Sequence, residues 1–91
     1  MPRPLEWDEG NERELAGHGI APAEVLEVWA NRPVWVPNVR HRSGDWKMCG
    51  TTDSGRRLTI VVRYSADRGA IRPITGWDTT RGERSRYFKG A

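Results

Sequence analysis

The chain has 91 residues, 30% of them charged and 36% hydrophobic, with a net charge of +3 and a single cysteine. That describes one small domain, residues 1–91, with one modest core, and it excludes a membrane helix of roughly 18 to 20 apolar residues and an internal disulfide framework. Met1-Pro2-Arg3-Pro4 leads into acidic residues rather than an apolar h-region, so no signal peptide is visible and a cytoplasmic location is expected. With one Cys and two His, neither a dedicated zinc site nor any other cofactor is expected.

Charge is unevenly distributed along the chain. Residues 1–39 carry three Arg against seven Asp and Glu, a balance of −4, and residues 40–91 carry twelve Lys and Arg against five acids, a balance of +7. Such asymmetry predicts an acidic layer and a basic layer in one domain, the basic one a candidate footprint for nucleic acid or an acidic protein.

In chain order, Leu5-Glu6-Trp7-Asp8 alternates apolar and polar, as a short edge strand or extended lead-in does. Asp8 stands where a helix N-cap belongs, predicting a helix over about Glu9 to Gly17, closed by Gly17-His18-Gly19. Pro22 opens a second helix with Glu24 in its first turn, and Asn31-Arg32-Pro33 stops it. Pro22, Val25, Leu26 and Trp29 fall at helical spacing and predict its buried stripe. Val34-Trp35-Val36, between Pro33 and Pro37, reads as a short edge strand. A polar, basic stretch through Arg40, His41 and Arg42 leads to Ser43-Gly44-Asp45, and Trp46–Thr51 alternates again as a strand. Thr52-Asp53-Ser54-Gly55 is a turn.

Arg57–Tyr64 is the richest β-branched run and the expected central strand, with Leu58, Ile60, Val62 and Tyr64 on its core face. Thr59, Val61 and Arg63 share the other face, which is less apolar and open enough to meet a partner. A turn at 65–69 returns the chain along about Ala70 to Gly76, where Pro73 demands an edge, a bulge or one-sided pairing. Thr80-Arg81-Gly82-Glu83 fits a capping box and predicts a helix from Arg81 to about Lys89. The sum is α+β: two N-terminal helices, an antiparallel sheet of four or so strands, and a short C-terminal helix. Of the five Trp, Trp7, Trp29 and Trp46 are expected in the core, and Trp35 and Trp77 are expected to be exposed.

The ordered set Glu6-Trp7-Asp8-Glu9 with Asn11, His18-Gly19-Ile20, Gly50, Gly55-Arg56-Arg57-Leu58, Ile71–Thr75 and Thr80-Arg81-Gly82-Glu83-Arg84-Ser85-Arg86-Tyr87 resembles the BrnT-type toxins over nearly the whole chain. The resemblance implies a RelE-like fold and a ribonuclease activity that blocks translation. It also implies a cognate antitoxin that neutralises the toxin in a hetero-oligomer and represses transcription. The expected partners are then RNA, including ribosome-bound mRNA, and that antitoxin, with no membrane. The family pattern often carries an Arg just after the last strand, where this chain has Gly76-Trp77. Trp77 cannot grip a scissile phosphate as an Arg does, though its ring can stack on a base. A non-catalytic RNA- or protein-binding domain of the same fold is the alternative.

RNA cleavage by 2′-hydroxyl attack needs a base, stabilisation of phosphate charge, and an acid. Arg63 and Arg72 on adjacent strands, with Lys47 beside them, are the expected phosphate clamps in a metal-independent mechanism. His41 has the most suitable unperturbed pKa for acid–base work, with Lys47 or Tyr87 as alternatives. Arg40, Arg42, Arg68, Trp77, Arg81 and Arg84 are the expected RNA contacts. Glu83 is a poorer candidate because the capping box already explains it.

Overall fold

The run of β-branched residues at 57–65 is the strand on which the fold is built. In the computed structural model, which describes residues 5–39 and 44–87, β3 (Arg57–Ser65) lies between β2 (Trp46–Thr51) and β4 (Ala70–Asp78), and β1 (Val34–Pro37) flanks β2. All neighbouring strands run antiparallel. Among the described residues there are three helices: α1 (Glu9–Gly17) and α2 (Pro22–Ala30) precede the sheet, and α3 (Arg81–Tyr87) follows it. The architecture is α+β, as the sequence predicts.

The helix boundaries have local causes. Asp8 caps α1 reciprocally with Asn11, each side chain accepting from the other's amide at 2.9 Å. Gly19 closes α1 with φ of +73°, a conformation glycine adopts without strain. Ala21 has no side chain that can cap α2, so Glu24 reaches back to the Ala21 amide at 3.0 Å and Pro22 pre-sets the first turn.

The α1/α2 face of the sheet carries the core: Leu15, Ile20, Val25 and Val28 meet Met48, Leu58, Ile60, Val62 and Ile71, with Leu5, Trp7 and Trp29 packed at the margin. Gly76 permits this contact. A Cβ there would stand 2.7 Å from Ile60 Cδ1 and 2.9 Å from the Thr59 carbonyl oxygen, where Leu15 now approaches the sheet. Leu26 departs from expectation, being 51% exposed while Val28 is buried in its stead. The cause is that α2 sets Val28 over Gly50, so its buried stripe is rotated by part of a turn.

Pro73 meets two of its predicted requirements together, lying in an edge strand at a bulge. Val61 faces Thr75 but Val62 faces Pro73, leaving Ile74 as the extra residue. The buried Asn11 amide donates to the Pro73 carbonyl at 2.8 Å and to the Glu6 carbonyl at 2.9 Å. Among the described residues the lead-in contributes one parallel bridge, Leu5 to Ile71. At the opposite margin β1 is four residues long, with Pro37 as its last residue and Pro33 just before it.

Charge pairing ties the acidic and basic halves of the sequence together. Arg56 donates to Asp78 (2.8 and 3.1 Å), to both Glu24 oxygens (3.1 and 3.0 Å) and to the Gly19 carbonyl (2.9 Å). Arg68 pairs with Glu6, and Arg72 with Asp8. Arg56, Arg68 and Arg72 of the basic half are therefore committed to acids, although Arg68 stays largely exposed.

Candidate functional site

Strand alternation separates the residues of β3 onto two faces, and α3 lies on the face opposite α1 and α2. Ile60 points into the core with Leu15, while its neighbour Thr59 meets Glu83 of α3. Register sets Lys47 beside Val61, Cys49 beside Thr59, and Thr59 beside Trp77, so all of these share the α3 face. This face is more enclosed than its composition suggests. Thr59, Val61 and Cys49 are fully buried, with Gly44 packed against Val61 and α3 above Thr59.

The centre of this face is the Glu83 carboxylate. Its Oε1 accepts from the Thr80 amide at 2.9 Å, the Trp77 indole at 3.0 Å and the Thr59 hydroxyl at 3.1 Å, and its Oε2 lies 4.0 Å from Lys47 Nζ. Burial pushes the Glu83 pKa up, but the Thr80 amide, the Trp77 and Thr59 donors and the Thr80 hydroxyl together outweigh it. The carboxyl is held below its ordinary 4.5 and stays ionised at neutral pH. Behind it, the Thr79 hydroxyl is 3.2 Å from that of Thr59. Burial raises the Cys49 thiol to about 11, so this cysteine is a packed sheet residue with no nucleophilic character at neutral pH.

The expected site residues distribute as follows. Lys47 is on the α3 face, 17% exposed, against Glu83. Arg63 is exposed at the end of the same face, in register with Arg72. Arg72 turns over the edge of β4 to pair with Asp8, lining a cleft of about 470 Å³ with Asn11, Glu14 and Thr75. Arg68 lies in the β3–β4 turn against Glu6. Arg81 and Arg84 are exposed on α3. Trp77, expected to be exposed, is half-buried with its indole directed at Glu83. Tyr87 ends α3, and its side chain lies outside what the structure describes, as do residues Arg40, His41 and Arg42.

No protein-family model matches the chain, and neither does any curated protein. Among the described residues, no helix is long and apolar enough to cross a membrane.

Two features escaped the sequence. Glu83 and Thr59 form the hub of the α3 face, whereas the capping motif alone accounts for Glu83 in one dimension. The available signal was spacing: α3 begins three residues after Asp78 ends β4, so its first turn has to fold back beside Trp77. The second feature is an open cleft of about 280 Å³ at the end of the core face beyond the helices, lined by Trp35, Trp46, Val62, Tyr64 and Ile71. Trp46 is 40% exposed there rather than in the core, because α1 and α2 cover the other end of the sheet.

Proposed function

We propose that this protein is a metal-independent ribonuclease of the BrnT toxin kind, which binds RNA on the α3 face of its sheet and is neutralised by a cognate antitoxin. The observation that carries this reading is the polarity of charge across the sheet. On the core side α1 presents Glu9, Glu12 and Glu14 to solvent against the one cation Arg13, while the opposite side presents Arg63 from the sheet and Arg81, Arg84 and Arg86 from α3. An anionic polymer is attracted to the second side and repelled from the first. Arg63 is the candidate phosphate clamp on the sheet, because a guanidinium is always charged and offers paired donors.

The second reading, a non-catalytic RNA-binding domain, is favoured by two internal commitments. Arg72 is paired with Asp8, and the Trp77 indole is bonded to Glu83. Incubating end-labelled RNA with the protein in EDTA, beside Arg63→Ala, separates the two. The nuclease reading expects cleavage that falls at least about tenfold in the variant, the loss of one charge-stabilising contact. Intact RNA that is nonetheless bound in a steeply salt-dependent way selects the binding domain.

A further inference from the structure

Three donors converge on one oxygen of Glu83, and an ammonium stands beside the other. Proteins hold anionic oxygens in this way, whether carboxylate or phosphate. The Thr80 hydroxyl and amide already complete the capping box with Glu83, so the helix cap does not require the Thr59 and Trp77 donors. Those two groups and Lys47 belong to the strands of the sheet and not to α3. The carboxylate they hold belongs to a helix whose other described side chains, Arg81, Arg84, Ser85 and Arg86, are all exposed. Glu83 is the one buried side chain among those described on α3.

We propose that Lys47, Thr59 and Trp77 form a phosphate subsite on the sheet, that Glu83 fills it as an internal anion, and that a nucleic-acid phosphate enters by displacing Glu83 and lifting α3. The RNA reading above supplies the source of the phosphate; the subsite itself stands on its own geometry. Glu83 acts as a brake, and the arginines of α3 travel with the released helix and remain available to neighbouring phosphates.

Glu83→Gln isolates the charge. Glutamine at this position keeps the capping box and an acceptor for Thr59 and Trp77, but removes the negative charge beside Lys47. Inorganic phosphate is the first probe, read from the Trp77 indole N–H resonance assigned with Trp77→Phe. The expected result is a saturable shift in Glu83→Gln that is weak in the parent and absent in Lys47→Ala/Glu83→Gln. A short single-stranded RNA is the second probe. Glu83→Gln is expected to bind it about tenfold tighter, with a salt slope steeper by about one, and both gains should vanish in the double variant. Glu83→Ala, which also loosens α3, must give a gain at least as large.

Absence of a phosphate-dependent shift in both Glu83 variants overturns the subsite, and so does a gain that survives loss of Lys47. If RNA binds while Glu83→Gln changes nothing, the brake fails and the RNA reading survives. If phosphate shifts Trp77 through Lys47 while neither protein binds RNA, the subsite survives and the RNA reading fails.

Discussion

The two faces of the sheet are buried by different physics. On one, Leu15, Ile20, Val25 and Val28 lock α1 and α2 down through close-packed apolar contact, which is non-directional and proportional to area. On the other, α3 is held at Glu83 by directional bonds to Thr59 and Trp77 and by the Lys47 ammonium. The first arrangement resists any displacement. The second is strong only in one geometry and yields to a competing anion, so stability is concentrated on one face and responsiveness on the other.

The contrast can be broken most violently from the apolar side. Leu15→Ala empties a fully buried position and is expected to cost about 2–5 kcal/mol in urea unfolding. Next comes the clamp at the sheet margin, where Arg56→Ala should cost about 1–2 kcal/mol, discounted for its partial exposure. Arg56 also fixes a pH dependence. The Glu24 pKa is lowered by the Ala21 amide and by Arg56, and that of Asp78 by Arg56. Depressed folded-state values contribute stability that is present above the unfolded values of 4.5 and 3.8 and lost as pH falls through the lower folded ones. The natural protein should therefore lose stability on acidification below about pH 4.5 more steeply than Arg56→Ala, measured as the fall in urea midpoint.

On the polar face the expected effects are smaller. Thr59→Val keeps the volume but removes one donor to Glu83, at about 1 kcal/mol, and should shift the Trp77 indole resonance while leaving the apolar core's methyl signals in place. Arg84→Ala, exposed on α3, should move stability by no more than about 0.5 kcal/mol. Its readout is instead a salt slope of RNA binding shallower by about one. A large loss of stability in this last variant would erase the distinction between the two faces.

The elements were legible because each has a local cause. Asp8, Gly19, Pro22 and Thr80 mark helix ends by chemistry confined to a few residues, and the period of Leu58, Ile60 and Val62 marks the core face of β3. What was not legible depends on contacts distant in sequence. Charge counting cannot show that Arg56 meets Glu24, 32 residues away, or that Arg68 meets Glu6 across 62. It therefore overstates the basic surface available to a partner. Glu83 shows the same limit: the capping box read from its spacing forms, and only the folded chain adds Thr59, Trp77 and Lys47. Trp46 follows the alternation of its strand correctly, yet no pattern in β2 records where two short helices stop covering the sheet.

The prolines around β1 bear on how this molecule behaves in a crowd. An outermost strand offers its backbone to any other extended chain, and here that margin also carries the exposed Val34 and Trp35. Pro37 removes an amide from the strand itself, and Pro33 removes the one just before it. A foreign strand arriving at β1 finds four residues and a truncated row of donors, too short a template to fix a register. Its shortness and its prolines make β1 a poor template for strand addition by a second copy of the chain.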